Sequence, residues 1–174
     1  EFAVQAASGT FSASKLDPGT SILLSKFHEF PDSGNVLDLG CGWGPISLAI
    51  ATFSPETTLW ALDVNARSLE LAAKNAEKLG LSNIKVVTAE QVPQDLKFDA
   101  IWSNPPIRIG KAALHELLRT WLPRLESGGR AMLVVQKQLG ADSLLSWIQT
   151  EFPDLTSSRF STDKGFRVLE ITRD

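Results

Sequence analysis

The hydrophobic residues of the chain follow two alternating patterns. Short, nearly continuous apolar runs alternate with longer amphipathic stretches, which is typical of a parallel β-sheet covered by helices. The apolar runs predict strands at 35–40, 58–64, 84–89, 98–103 and 130–136. The amphipathic stretches predict helices at 18–30, 45–53, 66–79, 111–124 and 142–152.

Polar residues at the boundaries of these stretches predict where helices begin. Asp17 precedes Pro18, and this pair predicts an N-cap followed by proline at the first helical position. Asn65 and Asp142 are predicted to cap the third and fifth helices.

The two ends of the chain depart from this alternation. Near the C-terminus, two strand-like stretches at 155–162 and 166–173 flank the turn-like residues 163–165. So short a link joins only antiparallel strands, so the sheet is predicted to have seven strands, largely parallel, with one antiparallel strand. Near the N-terminus, residues 4–14 are rich in Ser, Gly and Ala and predict a small irregular hairpin.

Composition and charge narrow the class of protein. With 174 residues, 43% of them hydrophobic, the chain is predicted to form a single α/β domain over residues 1–174. The single cysteine, Cys41, excludes a disulfide framework and is compatible with a cytoplasmic location. A net charge of −3 argues against binding nucleic acid by bulk charge, so RNA binding would need a local basic patch. The first residue is Glu1 and not methionine, which we interpret as a trimmed or truncated N-terminus, and a missing upstream segment, even a whole domain, is compatible with it.

A glycine-rich turn follows the first predicted strand, in the stretch DLGCGWGP at 38–45. Gly40, Gly42 and Gly44 allow a sharp turn and a close approach of a ligand to the backbone. Asp38 would repel a pyrophosphate, and it favours a ligand with a positive end, such as the ammonium and sulfonium of S-adenosyl-L-methionine. Asp63 ends the second strand about 20 residues later, the spacing at which a carboxylate accepts hydrogen bonds from ribose hydroxyls. Ala89 and Glu90 end the third strand, where we expect an adenine edge.

The fourth strand ends in Ser103-Asn104-Pro105-Pro106. The prolines hold the preceding residues extended and remove backbone donors, so the side-chain oxygen of Asn104 and the carbonyl of Pro105 are predicted to form a stiff pair of acceptors. Such acceptors can hold the two hydrogens of an amine and direct its lone pair toward an incoming methyl group. His28 and His115 lie within predicted helices without metal-ligand spacing, so no metal site is predicted.

Taken together, these motifs resemble the class I S-adenosylmethionine-dependent methyltransferases, which have a Rossmann-like fold with helices on both faces. DLGCGWGP resembles the cofactor loop, and SNPP resembles the amino-methylating subgroup. Five further stretches, FSASKLDPGTSILL, DVNARSLELAAKN, FDAIWSNPPIRIGK, VVQKQLGADSL and KGFRVLEI, resemble the ribosomal RNA small-subunit methyltransferase C family. The resemblance implies methyl transfer to the exocyclic amine of a guanine in small-subunit ribosomal RNA.

The resemblance also implies roles for individual residues. The implied catalytic residues are Asn104, Pro105 and Pro106, and the implied cofactor-binding residues are Thr20, Asp38, Gly40, Gly42, Gly44, Asp63, Ala89, Glu90 and Asn104. Asp17 is expected to approach the cofactor beside Thr20.

On the substrate side, the resemblance points to Ile107, Arg108 and Lys111. Ile107 stands where many amino-methyltransferases have an aromatic residue that stacks on a flipped base, so stacking would come from elsewhere, for example Phe11. Arg108 and Lys111 are expected to contact phosphate, and a wider basic patch would add Lys15, Arg119, Lys137 and Arg167.

Three alternatives remain open from the sequence. The same loop suits methylation of adenine in nucleic acid, or of a glutamine side chain in a protein. A methyltransferase-like domain that binds RNA without catalysis is the third, although it would be expected to lose the glycines or Asn104. The expected partner is ribosomal RNA or the small ribosomal subunit, with no membrane.

Overall fold

The computed structural model describes residues 16–174, and the prediction of a hairpin at 4–14 lies outside them. Its single seven-stranded sheet has the order β3-β2-β1-β4-β5-β7-β6. The strands are β1 Ser33–Leu39, β2 Glu56–Leu62, β3 Ile84–Val87, β4 Phe98–Ser103, β5 Leu125–Gln136, β6 Thr156–Asp163 and β7 Phe166–Thr172. Only β7 runs against its neighbours β5 and β6. The predicted Rossmann-like α/β fold with one antiparallel strand is therefore confirmed.

Five α-helices cover both faces of this sheet. They are α1 Pro18–Leu24, α2 Pro45–Phe53, α3 Ala66–Lys78, α4 Lys111–Trp121 and α5 Ala141–Glu151. On one face, Leu118 of α4 and Ile148 of α5 are fully buried among the strand residues. On the other face, Leu23 of α1 and Ile50 of α2 are fully buried around Trp102. Alternate residues along the central strands supply both cores, which explains their continuous apolar runs.

Two predicted helices are shorter than their patterns indicate. The helix predicted at 18–30 ends at Leu24, and a 3-10 turn at Phe27–Glu29 follows it. The helix predicted at 111–124 ends at Trp121, and a 3-10 turn at Leu122–Arg124, which contains Pro123, follows it. In each case a 3-10 turn lies within the remainder of the predicted stretch.

The predicted caps were right for two helices and wrong for the third. Asp17 accepts a hydrogen bond from the Thr20 backbone at 3.0 Å, and Asn65 caps α3 through the Arg67 and Ser68 amides. The α5 cap is instead Gly140, in the left-handed conformation at φ +97°. Asp142 lies in the first turn of α5 and its carboxylate accepts a hydrogen bond from Arg167 at 2.9 Å.

Strands β6 and β7 form the predicted C-terminal hairpin. Lys164 and Gly165 connect them with φ values of +47° and +81°. Two successive positive φ values are characteristic of the type I′ turn, whose twist matches that of paired strands. Strand β6 forms one edge of the sheet, is mostly exposed, and has a register irregularity between Arg159 and Ser161.

Candidate active site at the carboxyl edge of the sheet

The chain reverses its direction of winding between β1 and β4. Strand β1 leads outward to β2 and β3, whereas β4 leads to β5, so the loops after β1 and β4 diverge and leave a crevice. The segments that follow the four parallel strands β1 to β4 all lie at this carboxyl edge. The fold therefore brings the glycine turn, Asp63, Ala89-Glu90 and Asn104 to one side of the sheet.

Two contacts join the glycine turn to the Asn-Pro-Pro segment. The buried Ser103 hydroxyl donates to the carbonyl of Leu39 at 2.6 Å, which fixes the end of β4 against the end of β1. A Cβ atom placed on Gly40 would lie 3.6 Å from Cδ of Pro106. The two motifs that the sequence indicated separately are therefore neighbours in space.

The glycine turn requires its glycines for different reasons. Gly42 has φ +57°, and a Cβ atom at this position would have no atom within 4 Å, so the backbone faces open space. Gly44 has φ +94° and caps α2, and a Cβ atom there would lie 3.3 Å from Cβ of Ala72 on α3. Gly42 therefore leaves room for a ligand, whereas Gly44 allows α2 and α3 to pack closely.

Asp38 is completely buried beneath this turn. Its Oδ2 accepts two hydrogen bonds from Ser47, from the backbone amide at 2.9 Å and the hydroxyl at 2.7 Å. Its Oδ1 is buried, and no donor within residues 16–174 reaches it. Burial raises the pKa of Asp38 to about 7, although the Ser47 hydrogen bonds oppose the rise. Asp38 therefore fixes the start of α2 and leaves one buried acceptor unused.

Asp63, at the end of β2, contacts the glycine turn directly. Its Oδ2 accepts a hydrogen bond from the Gly42 amide at 2.9 Å, and its Oδ1 accepts from the Asn65 amide at 2.9 Å. The carboxylate is half-buried and is held at the open part of the turn. Ala89 and Glu90 follow β3 and are exposed in a 3-10 turn at Ala89–Gln91, which Thr88 caps.

Asn104 is held by two residues from the N-terminal side of the domain. Its side-chain Nδ2 donates to Oδ2 of Asp17 at 2.6 Å and to Oγ1 of Thr20 at 3.0 Å. Both amide hydrogens are thereby used, and no described residue donates to the Oδ1 of Asn104. Sequence reasoning placed Asp17 and Thr20 near a cofactor, but it did not predict that both contact Asn104, because no local pattern connects residues 87 and 84 positions apart.

The carbonyls of both prolines in this segment accept local backbone hydrogen bonds. The carbonyl of Pro105 accepts the Ile107 amide at 2.8 Å, and that of Pro106 accepts the Ile109 amide at 3.1 Å. Pro106 has φ −74° and ψ 77°, so the first of these bonds closes an inverse γ-turn. A carbonyl has two lone pairs, so the Pro105 carbonyl retains one acceptor position.

The three predicted substrate residues follow this turn. Ile107 is half-buried and packs against the core, and it also lines a cleft of about 170 Å³ with Lys111, Leu114, His115 and others. Arg108 and Lys111 are exposed beside it, as a phosphate-binding role would require. Phe11 and Lys15, the other predicted contacts, lie outside the described residues.

Two members of the wider basic patch are already paired with carboxylates. Arg167 is only 8% exposed and binds Asp142. Arg119 forms ion pairs with Glu151 at 2.6 Å and Glu116 at 3.6 Å. The prediction that Arg167 contacts phosphate is therefore wrong, because its guanidinium faces a carboxylate and not solvent. Lys137 is exposed.

Neither a metal cluster nor a membrane span is found in residues 16–174. No group of three or more His, Cys, Asp or Glu side chains in this range is arranged to bind a metal ion. Over the same range, every helix is too short or too polar to cross a bilayer.

Comparison with known proteins identifies relatives of this chain. An uncharacterized protein of Bacillus subtilis (strain 168), YbxB, is 33% identical over 176 residues, covering 99% of this chain and 87% of that protein. Ribosomal RNA small subunit methyltransferase C of Yersinia pestis (strain Pestoides F) is 36% identical over 144 residues, covering 79% of this chain and 40% of that protein. The chain thus spans less than half the length of this second relative.

Solved structures share the fold. The T. thermophilus 16S rRNA N2 G1207 methyltransferase, in complex with AdoMet and guanosine, superimposes with a TM-score of 0.81 at 24% identity. The match covers 95% of this chain and 46% of that one. The M. jannaschii tRNA m1G37 methyltransferase gives a TM-score of 0.66 at 18% identity, covering 92% and 51%.

The family model for the methyltransferase small domain matches residues 1–170, nearly the whole chain. Methyltransferases of this family take their methyl group from S-adenosylmethionine. On this match, and on the relatives that accompany it, the chain belongs to the methyltransferase small domain family.

Proposed function

We propose that this domain transfers a methyl group from S-adenosylmethionine to the exocyclic amine of a guanine in small-subunit ribosomal RNA. The observation that carries the proposal is the orientation of Asn104. With both Nδ2 hydrogens donated to Asp17 and Thr20, the atom left for a substrate is the acceptor Oδ1. An acceptor at this point suits a target that donates hydrogens, such as an amine.

The residues around the glycine turn fit the proposed cofactor. Asp63 holds a carboxylate at the open part of the turn, where ribose hydroxyls would donate to it. The Oδ1 of Asp38 has no partner among the described residues, and a cationic ligand at the turn would favour the ionised form of this carboxyl. An ammonium or sulfonium close to the turn is the complementary charge, whereas a pyrophosphate would be repelled.

The main contribution of the protein to methyl transfer would be to position the target amine against the methyl group of the cofactor. When bound, S-adenosylmethionine supplies a methyl group on a positively charged sulfur, which leaves as a neutral thioether. The Oδ1 of Asn104 and the remaining lone pair of the Pro105 carbonyl would accept the two amine hydrogens and direct the nitrogen lone pair at the methyl carbon. Geometry of this kind contributes up to about 7–11 kcal/mol of a barrier in ideal cases. The nitrogen gains a bond to carbon and loses one proton to solvent.

The choice of guanine in ribosomal RNA rests on the relatives. The names of the Yersinia pestis relative and the T. thermophilus structure describe small-subunit ribosomal RNA methylation, and the second specifies N2 of a guanine. Exposed Arg108 and Lys111, which follow Asn104 in the chain, would supply a local basic surface for RNA on a chain whose net charge is −3.

A direct test measures tritium transfer from labelled cofactor to three substrates: naked small-subunit rRNA, assembled small subunits, and a release factor that presents a glutamine. We expect label in RNA, and mass spectrometry should locate it at N2 of guanine. Label in the glutamine alone, or at adenine, would replace this proposal with the corresponding alternative.

The role of Asn104 has its own test in the same assay. Asn104→Ala should retain cofactor affinity and lose transfer by about a hundredfold or more, the effect expected when a reacting group is misplaced by about 1 Å. The matched control is Gln149→Ala, which removes an exposed amide near the end of α5, at the opposite edge of the sheet. Unchanged turnover in Asn104→Ala would show that Asn104 is not catalytic.

A further inference from the structure

We infer that Asp17 and Thr20 are positioning residues that hold the Asn104 amide in its reactive orientation and strengthen its oxygen as an acceptor. This inference rests on the proposed function and adds to it the means by which the site selects an amine. It arises from one hydrogen-bonded group of three side chains, Asp17, Thr20 and Asn104.

Asp17 fixes the direction in which the Asn104 amide points. A primary amide has two donor hydrogens on one side and an acceptor oxygen on the other, and a rotation of about half a turn exchanges them. A carboxylate accepts and cannot donate, so Asp17 faces only the Nδ2 side of Asn104. Rotating the amide would place its oxygen 2.6 Å from a carboxylate oxygen, which is repulsive. Asp17 therefore excludes the orientation that would present a donor to the target.

The two hydrogen bonds donated by Asn104 also strengthen its oxygen as an acceptor. Hydrogen bonds to an ionised group are about twice as strong as neutral ones, and bonds in a chain polarise one another. The Asn104 amide donates to a carboxylate at 2.6 Å and to a hydroxyl at 3.0 Å, so electron density moves toward its Oδ1. The Oδ1 of Asn104 is then a better acceptor than that of a free amide.

Asp17 and Thr20 are themselves held rigidly at the start of α1. The same Oδ2 of Asp17 accepts the Thr20 backbone amide at 3.0 Å and so fixes the first turn of α1. Thr20 itself is 5% exposed. A Cβ atom on Gly19 would lie 3.1 Å from that Oδ2 and 3.3 Å from Nδ2 of Asn104, so the group is packed with no space for an additional methyl. The orientation of Asn104 is therefore locked by the start of α1.

The consequence is a filter for the target atom. A group that donates hydrogens, such as an exocyclic amine, can approach the fixed Oδ1 of Asn104. A carbonyl or an unprotonated ring nitrogen would meet an acceptor and have no hydrogen to offer. The selection for an amine would then depend on residues 17 and 20 as well as on Asn104.

A series of variants separates this role from helix capping. Asp17→Ser keeps an N-cap side chain but is too short to reach Asn104, since serine is among the best N-cap residues. Asp17→Asn keeps both size and an acceptor oxygen and removes the charge. Thr20→Ser keeps the hydroxyl, whereas Thr20→Val keeps the shape and removes it.

We expect the maximal transfer rate to decrease about tenfold to a hundredfold in Asp17→Ser, because the amide can then rotate. Asp17→Asn and Thr20→Val should lie between this variant and the wild type, and Thr20→Ser should remain close to the wild type. The thermal midpoint of Asp17→Ser and the KM for RNA should change little. If Asp17 and Thr20 had a purely structural role, the transfer rate would fall only in variants whose thermal midpoint also falls. A wild-type transfer rate in a folded Asp17→Ser variant would overturn the inference.

A second measurement needs no substrate. In a nitrogen-15 spectrum of the wild-type protein, the two Asn104 side-chain protons should be separated widely, with the one facing Asp17 shifted downfield and slow to exchange. Asp17→Ser should collapse this separation, and an unchanged resonance would overturn the inference even if the protein proved inactive on RNA. Failure of the proposed function would appear differently, as no transfer to RNA by a wild-type protein whose Asn104 resonances behave as described.

Discussion

The buried carboxylate of Asp38 should make the stability of the cofactor-free domain fall as pH rises. Its pKa in the folded protein is about 7, against an ordinary value of 3.8, because burial penalises the ionised form. Between these two pH values the folded protein keeps a proton that the unfolded chain has released. The stabilisation from Asp38 is therefore complete below pH 3.8 and is lost as pH rises through 7.

The size of this effect follows from the two pKa values. From 3.8 to about 7 is roughly three pH units, each worth about 1.4 kcal/mol, so ionised Asp38 costs the fold roughly 4 kcal/mol. Most of the loss, roughly 3 kcal/mol, should occur between pH 5 and pH 8. Asp38→Asn removes the titration, because an amide does not ionise. The carbonyl oxygen of the new side chain can still accept both Ser47 hydrogen bonds. Its buried amide hydrogens would lack an acceptor, at a cost of about 1–3 kcal/mol that does not vary with pH.

Urea unfolding, followed by the fluorescence of the five tryptophans, tests this prediction at several pH values. The stability of Asp38→Asn relative to wild type should rise by roughly 3 kcal/mol from pH 5 to pH 8. Leu118→Ala is the control, because it lowers stability without changing any titratable group, so its pH profile should stay parallel to that of the wild type. Parallel profiles for wild type and Asp38→Asn would refute the argument that Asp38 is protonated in the fold.

Three further predictions follow from other contacts. Gly44→Ala should destabilise the domain by about 1–2 kcal/mol in urea unfolding, because φ +94° is strained for alanine and its methyl would crowd Ala72. A wild-type midpoint would contradict this. Leu118→Ala should cost about 2–5 kcal/mol in the same experiment, since Leu118 is fully buried. Asp63→Ala should weaken cofactor binding at least tenfold by calorimetry while the circular dichroism spectrum is retained, and equal affinity would exclude a ribose contact.

The sequence predicted the core of the fold because its strands are buried on both faces. Strand β4 was predicted with its observed bounds, 98–103, since its apolar run stands out from the residues around it. Strand β5 was predicted from 130 but begins at Leu125, because residues 126–129 are polar or glycine and carry no apolar signal. Backbone pairing of Phe98 with Leu125 extends this strand, and such a pairing depends on tertiary structure.

For the candidate site, local motifs were enough to bring the correct segments together. The glycine turn, Asp63 and Asn104 lie at one edge because parallel strands end on the same side. Pairings between distant side chains were not predictable in the same way. Arg167 binds Asp142, 25 positions away, and Asn104 binds Asp17, 87 positions away. The sequence around each of these residues contains no pattern that identifies its partner.

The exposed strand β6 has a consequence for how this domain meets other molecules. An edge strand can add a strand from another chain, but β6 is polar apart from Phe160, carries Arg159, and has a register irregularity between Arg159 and Ser161. At the opposite edge, β3 has four residues and includes the exposed Lys85. Both edges of the sheet thus carry features that disfavour the addition of a strand from another chain.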